Sequence, residues 1–196
     1  MDLGSELMAT HLILGGARSG KSTFAEQQAL QNETRDGACI YYLATAQAHD
    51  DEMTARIQQH KKQRPPHWEV IESPIKVASV IENQIAQHQR QQKSKKPLTI
   101  LVDCLTLWLS NCLCSTEPCW EKEKQALLSL LSTYAQSDEV TLLLVSNEVG
   151  HGIVPMAKLS RNFVDQAGWL HQDIAKIANK VDFIMAGIAL SLKDKK

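Results

Sequence analysis

Residues 15–22 read GGARSGKS, which is the pattern G-x-x-x-x-G-K-[ST]. Glycines let backbone N–H groups turn inward around a phosphate, where a Cβ at positive φ would obstruct them. In such a loop Lys21 can reach the β and γ oxygens of a triphosphate, and the Ser22 hydroxyl can ligate Mg²⁺. We therefore predict that the whole motif binds nucleotide, through Gly15, Gly16, Ala17, Arg18, Ser19, Gly20, Lys21 and Ser22. The alternative is a glycine turn that only connects a strand to a helix.

Two acidic residues follow long apolar runs further along the chain. Asp103 ends the run Leu98–Val102, and Glu148 follows the run Thr141–Val145. Ligands of open α/β sheets gather at the carboxyl ends of the strands, so both carboxylates are candidates for the same site. We predict that Asp103 supports Mg²⁺ together with Ser22. The alternative for Asp103 is a helix cap, and for Glu148 an ordinary loop residue.

These residues need strands that end beside one another. Apolar and β-branched runs predict strands over residues 11–14, 38–44, 68–72, 98–102, 141–145 and 181–186. Helical patterns lie between them, at 21–30, from Asp50, at 75–92, from Cys104 and at 162–179. Nearly unbroken apolar strands are typical of a parallel sheet that is covered on both faces. The predicted fold class is therefore α/β and P-loop NTPase-like, a mostly parallel sheet with helices on both faces.

Length and composition favour one globular domain over residues 1–196, with residues 1–10 a flexible or peripheral extension. Hydrophobic residues make up 43% and charged residues 22%, which is ordinary for a folded domain. The formal net charge of −1 gives no basic field that would favour nucleic acid as a partner.

The chain shows no feature of an exported or membrane protein. Its first residues lack a basic start and a long apolar stretch, and no run approaches the ~18 apolar residues of a membrane span. Its five cysteines are an odd number, which suits free thiols in a reducing compartment. We predict a cytoplasmic protein with no membrane span.

Four segments together resemble one enzyme family. They are residues 15–26, 43–68, 102–111 and 145–187. This sequence resembles the bifunctional adenosylcobinamide kinase / adenosylcobinamide-phosphate guanylyltransferases of cobalamin biosynthesis. The patterns DDEM-x-x-RI, H-x-x-x-RP and NEVG-x-GIVP are much narrower markers than the phosphate loop, and the resemblance is weakest over residues 1–10 and 73–96.

The resemblance implies two reactions on the aminopropanol arm of a corrinoid. The first transfers the γ-phosphoryl group of ATP or GTP to the hydroxyl of the arm. The second transfers GMP from GTP to that phosphate and releases pyrophosphate. The resemblance also implies Mg²⁺ as cofactor and a homo-oligomer, a trimer, with the site near a subunit boundary.

In this family a histidine carries the guanylyl group, and His60 falls on the matching motif. Neutral imidazole is nucleophilic near pH 7, and the P–N bond it forms breaks readily when a phosphate oxygen attacks. Arg56 lies four residues before His60, so on a helix the two would share a face near the phosphates. Without the resemblance, a lone histidine on a polar helix is most often a surface residue. Some relatives have two adjacent histidines here, where this sequence has Gln59 before His60.

The resemblance also implies nucleotide contacts after the second and third strands. Thr45, Ala46 and Gln47 match places where the family contacts guanine nucleotide, and so does Glu72. A carboxylate can accept from the N1 and N2 donors of guanine, while hydroxyl or amide groups suit ribose or phosphate. Arg64 could touch phosphate. For Glu72 and Arg64 an exposed surface charge is the alternative.

Two other functions remain open from the sequence. One is a small-molecule P-loop kinase that performs the phosphoryl step only. The other is a nucleotide-binding switch module without turnover.

Overall fold

The computed structural model describes residues 9–47, 64–91 and 96–194 of the chain. These residues form a seven-stranded sheet in the order β3-β2-β4-β5-β1-β6-β7. The strands are Thr10–Gly15 (β1), Cys39–Ala44 (β2), Glu69–Glu72 (β3), Leu98–Asp103 (β4), Val140–Asn147 (β5), Lys180–Met185 (β6) and Ile188–Asp194 (β7).

The first six strands are parallel, and only β7 runs antiparallel, to its neighbour β6. In the centre of the sheet Gly15 is in register with Asn147 of β5 and Ile184 of β6. Asp103 is in register with Val145 of β5. The carboxyl ends of β1, β4 and β5 therefore meet at one edge of the sheet, as a site built from strand ends requires.

Helices cover both faces of the sheet. They are Lys21–Asp36 (α1), Val77–Gln91 (α2), Leu105–Leu113 (α3), Trp120–Thr133 (α4) and Lys158–Ile177 (α5). Ala25 and Ala29 of α1 pack on one face with side chains such as Leu101, whereas apolar side chains of the other four helices pack on the opposite face. Strands buried on both faces explain why most of their sequences are continuously apolar.

The predicted fold class is confirmed, and every predicted strand is present to within two residues at each end. Strand β7 was not predicted from the sequence; it follows a tight turn at Ala186 and Gly187, where φ is 52° and 79°. The last helix begins at Lys158, four residues before the predicted start at position 162.

The predicted helix from Asp50 lies outside the described residues, as do residues 1–8 of the predicted extension. The single-domain organisation of the whole chain stays a prediction. In the part of the chain that the structure describes, no helix combines the length and apolar character needed to cross a membrane.

Candidate active site

The phosphate loop joins the end of β1 at Gly15 to the first residue of α1, Lys21. Two of its residues have positive φ, Gly20 at 94° and Arg18 at 56°. The Ser19 N–H donates to the Gly16 carbonyl at 3.3 Å, and the Gly187 N–H donates to the Ser19 carbonyl at 2.9 Å. The loop is thus a tight turn that is stabilised by a hydrogen bond from the β6–β7 turn.

Gly15 is a position where the loop has no room for a side chain. A Cβ there would lie 2.5 Å from the Ile184 carbonyl oxygen and 2.5 Å from the Ser19 Oγ. The Ser19 Oγ is buried and has no hydrogen-bond partner among the described residues. A buried hydroxyl without a partner is costly, and a bound phosphate oxygen would satisfy it.

Lys21 reaches back into the loop from the first turn of α1. Its side chain is buried, and Nζ donates to the Gly16 carbonyl at 2.9 Å. Its charge also acts on Cys104, the residue that follows Asp103. Burial, reinforced by the Asp103 charge, raises the pKa of the Cys104 thiol to about 11 even though Lys21 lowers it. Lys21 is thus folded back onto the phosphate loop.

Asp103 faces α1. Alternate residues of a strand share a face, so Asp103 lies on the same side of β4 as Leu101, which packs with Ala25 of α1. The Tyr42 hydroxyl donates to Asp103 Oδ2 at 2.7 Å. Burial, together with the Asp103 charge, raises the pKa of Tyr42 well above its ordinary value, so the phenol stays a donor. Ser22, in the first turn of α1, belongs to the same side of the sheet.

Glu148 is held toward α5, on the other face of the sheet. Its N–H donates to the Gly15 carbonyl at 3.0 Å, which places its backbone beside the phosphate loop. Its Oε1 accepts from the Gly150 N–H at 2.6 Å, and its Oε2 lies 3.5 Å from His171 Nδ1. His171 Nε2 is 2.7 Å from the buried Ser146 Oγ. Burial lowers the pKa of His171, and Glu148 opposes that shift.

Arg64 is buried against β2 and α1. Its guanidinium carbon lies 3.4 Å from the centre of the Tyr42 ring, and its Nε is 3.5 Å from Glu26 Oε1. Burial raises the pKa of Glu26, Arg64 opposes the rise, and the nearby Asp103 charge adds to it. Sequence reasoning missed Glu26 and Tyr42; the signal for Glu26 is its spacing of four residues from Ser22, which places both on one face of α1.

Thr45 is fully buried at the end of β2. Its hydroxyl donates to the Cys104 carbonyl and accepts from the Cys104 N–H, both at 2.8 Å. Asn111, which sequence reasoning missed, donates to the Thr45 carbonyl at 2.9 Å. Thr45 thus joins the ends of β2 and β4, while Ala46 is half-buried and Gln47 is exposed beyond it.

Two predicted residues, Arg64 and Glu72, line one cavity of about 410 Å³. Its other described lining residues are Pro65, Pro66, Trp68 and Val70. Trp68 Nε1 donates to Glu33 Oε2 of α1 at 3.2 Å, and this contact anchors the wall of the cavity to the helix that begins at the phosphate loop. His60 and Arg56 lie outside the described residues.

Comparison with known proteins agrees with this architecture. The family model described as cobinamide kinase / cobinamide phosphate guanyltransferase, CobU, matches residues 11–192. The chain is 43% identical over 183 residues to the bifunctional adenosylcobalamin biosynthesis protein CobP of Pseudomonas aeruginosa, covering 93% of this chain and 96% of that protein. It is 35% identical over 192 residues to the bifunctional adenosylcobalamin biosynthesis protein CobU of Escherichia coli, covering 93% of this chain and 98% of that protein.

Among solved structures, a Pyrococcus horikoshii OT3 protein studied as project PH0250 superposes with a TM-score of 0.56. It is 12% identical in sequence, and the match covers 96% of this chain and 87% of that one, so it bears on the fold alone. The family model and the two full-length relatives bear on more than the fold. The chain belongs to the cobinamide kinase / cobinamide phosphate guanyltransferase family.

Proposed function

We propose that this chain phosphorylates adenosylcobinamide with ATP or GTP and then transfers GMP from GTP to the resulting phosphate. Membership of a family with both activities, over nearly the whole chain, is the observation that carries the proposal. The phosphate loop supports the kinase half, because it is closed, tightly packed and has Lys21 folded back into it. The same resemblance distinguishes this function from a kinase with one step and from a switch module.

In the kinase step the hydroxyl oxygen of the corrinoid arm attacks the γ-phosphorus. A new P–O bond forms, the bond to the β,γ-bridging oxygen breaks, the nucleoside diphosphate leaves with the electron pair, and the hydroxyl proton is released to solvent. Backbone N–H groups of residues 15–22 and the Lys21 ammonium stabilise the charge on the phosphate oxygens. This electrostatic stabilisation is the main contribution of the loop.

Ser22 and Asp103 are the residues that would hold Mg²⁺. Both offer oxygen donors, and Mg²⁺ is usually bound by one or two protein oxygens together with substrate phosphates. The position of Asp103 on the α1 side of β4 and the unpartnered Ser19 hydroxyl in the loop fit this arrangement. When bound, Mg²⁺ neutralises charge on the β and γ oxygens.

In the guanylyl step we propose His60 as the nucleophile. A ring nitrogen attacks the α-phosphorus of GTP, a P–N bond forms, and pyrophosphate leaves. A phosphate oxygen of the corrinoid phosphate then attacks the same phosphorus, and the P–N bond breaks. Arg64 and Glu72 would contact the guanine nucleotide, a role that their shared cavity supports. Ala46 and Gln47 would do so just beyond β2, where the buried Thr45, bonded to Cys104, holds their backbone in place.

The test is His60→Ala, assayed for both steps. We expect it to abolish the acid-labile adduct from [α-³²P]GTP and to leave phosphoryl transfer to adenosylcobinamide measurable. The matched control is His67→Gln, because His67 is 61% exposed and a glutamine keeps a donor for its partner Glu33. An adduct of unchanged yield in His60→Ala would refute the role of His60. A wild-type protein that neither keeps label nor releases pyrophosphate would refute the transferase half.

We also propose that the chain assembles as a homotrimer. Large apolar side chains are exposed on the edge strand β7, where Ile188 is 72% and Leu190 60% exposed, and on the loop after β5, where Ile153 is 97% exposed. Large exposed apolar side chains are typical of contact sites, and edge strands are ready to pair. Light scattering of the purified protein should give three times the chain mass of 21.9 kDa. A monomer at micromolar concentration would contradict this proposal.

A further inference from the structure

Four side chains form a continuous connection between the helix that follows the phosphate loop and the end of β4. Glu26 of α1 pairs with Arg64, whose guanidinium covers the ring of Tyr42, and the Tyr42 hydroxyl donates to Asp103. We call this set, Glu26, Arg64, Tyr42 and Asp103, the tyrosine bridge. One end of the bridge, Glu26, lies on α1 together with Ser22. The other end is Asp103 itself, at the end of β4.

The tyrosine bridge is built more rigidly than a surface ion pair. Tyr42 is fully buried, with 1% of its surface exposed, and the Arg64 side chain is 8% exposed. Such side chains are confined to one rotamer by their neighbours. The hydrogen bond to Asp103, at 2.7 Å, is short and assisted by the charge of the carboxylate. The orientation of Asp103 is therefore set by groups that themselves have little freedom.

The Tyr42 hydroxyl engages one oxygen of Asp103, Oδ2. In the described part of the chain, no hydrogen bond to the other oxygen, Oδ1, is found. A residue that hydrogen-bonds to one oxygen of a metal-binding carboxylate determines where the second oxygen points. Residues of this kind, which do not touch the metal themselves, strongly affect metal affinity. Arg64 adds a positive charge between the two carboxylates at the ends of the bridge, Glu26 and Asp103, and so limits their repulsion.

We propose that Tyr42 is a positioning residue, which through the tyrosine bridge holds the Asp103 carboxylate in the orientation in which it would help Ser22 to bind nucleotide-bound Mg²⁺. This inference rests on the proposed function, because it takes Ser22 and Asp103 as the metal-side residues. Tyr42 itself touches neither the substrate nor the metal. Removing the Tyr42 hydroxyl should therefore weaken metal binding and leave nucleotide binding unchanged.

The test measures metal binding without turnover. The full-length protein is saturated with guanosine 5′-(α,β-methylene)triphosphate, which cannot transfer GMP, and Mn²⁺ is titrated by electron paramagnetic resonance. Tyr42→Phe keeps the ring beneath Arg64 and removes only the hydroxyl. We expect it to weaken Mn²⁺ binding by about tenfold, the lower end of the loss typical of mutations in residues of this kind. Affinity for the analogue in EDTA should stay within about twofold of wild type, since the phosphate loop is unchanged.

The chain offers a matched control in the neighbouring residue. Tyr41 is also a buried tyrosine of β2, but it packs on the opposite face of the sheet. Tyr41→Phe should leave the Mn²⁺ titration unchanged. Glu26→Gln, which removes the charge partner of Arg64, should shift the titration in the same direction as Tyr42→Phe. It keeps the test decisive if Tyr42→Phe does not fold.

Asp103→Asn separates the possible failures. If Asp103→Asn weakens Mn²⁺ binding while Tyr42→Phe and Glu26→Gln both match wild type, the proposed bridge is overturned and the metal assignment stands. If Asp103→Asn binds Mn²⁺ like wild type, the metal assignment itself is overturned, and the role of Tyr42 falls with it.

Discussion

The Gly15→Ala substitution tests how tightly the phosphate loop is packed. Its Cβ would lie 2.5 Å from the Ile184 carbonyl oxygen, and real Cβ atoms essentially never come closer than 3.0 Å to such a neighbour. Ile184 is paired with Gly15 in the parallel register of β1 and β6, so its carbonyl cannot rotate away like a flexible side chain. The Ser19 hydroxyl, also at 2.5 Å, could move more easily. Relief therefore requires a shift of backbone.

The expected loss of stability in Gly15→Ala follows from the cost of overpacking. Adding a methyl group to a well-packed region typically costs about 1–3 kcal/mol. For a chain of this size 1 kcal/mol corresponds to roughly 2–4 °C in melting temperature, so a loss of about 2 kcal/mol lowers Tm by about 4–8 °C. The matched control is Gly16→Ala, because no atom lies within 4 Å of a Cβ built at Gly16 and its φ lies outside the left-handed region.

The assay is thermal unfolding followed by circular dichroism, without nucleotide, on wild type and both variants. Gly15→Ala should melt several degrees below wild type, and Gly16→Ala within about 1 °C of it, since nothing there is displaced. The reasoning is refuted if Gly15→Ala melts with wild type, or if Gly16→Ala loses as much as Gly15→Ala.

Two further predictions concern buried polar pairs. Ser146→Ala leaves the buried His171 Nε2 without its partner and should lower the free energy of unfolding by about 1–3 kcal/mol in urea titrations; the control Ser132→Ala, an exposed hydroxyl bonded within its own helix, should change little, and an equal loss in both would contradict this. Burial raises the pKa of Asp182, but the hydrogen bond and charge of His11, with Lys180, outweigh it and hold that pKa below its ordinary value. A depressed carboxylate pKa stabilises the fold above the unfolded pKa, about 3.9, and this contribution disappears as pH falls through the folded value. The stability difference between wild type and Asp182→Asn should therefore be smaller below about pH 4 than at about pH 5, and a difference that grows from about pH 5 toward acid pH would rule this explanation out.

The elements that position the site could be predicted because their signal is local. Central parallel strands are buried on both faces and read as continuous apolar runs, and the spacing of the loop glycines and lysine is itself the motif. The strand β7 was missed because its apolar residues Ile188, Leu190 and Leu192 alternate with small or polar ones and remain exposed. Its signal was that alternation directly after Gly187, which is typical of a hairpin.

The tyrosine bridge could not be predicted, because its members come from four separate parts of the chain, α1, β2, the segment before β3 and β4, and only the fold brings them together. The sequence offered for Arg64 a contact with phosphate or an exposed surface charge; the contact with nucleotide stays a prediction, and the structure adds contacts with Tyr42 and Glu26 that neither interpretation included. The sequence shows that Arg64 is positively charged, but it does not show which aromatic ring the guanidinium will pack on. Only the packing of α1 on β2 and β4 decides this.

The two acidic candidates, Asp103 and Glu148, also show that the sequence alone does not determine which contacts a side chain makes. Asp103 and Glu148 both follow apolar strands and both reach the edge of the sheet, so sequence spacing ranks them only weakly. The two carboxylates differ in the face of the sheet toward which they point. Asp103 lies on the same face of β4 as Leu101 and thus points toward α1. Glu148 lies one residue beyond β5 and is held by Gly150 and His171 on the α5 side. Since side chains alternate with a period of two, a one-residue slip in β4 would turn Asp103 away from α1, the helix that carries Ser22. The registers of β4 with β2 and β5 are therefore as much part of the proposed metal site as the carboxylate itself.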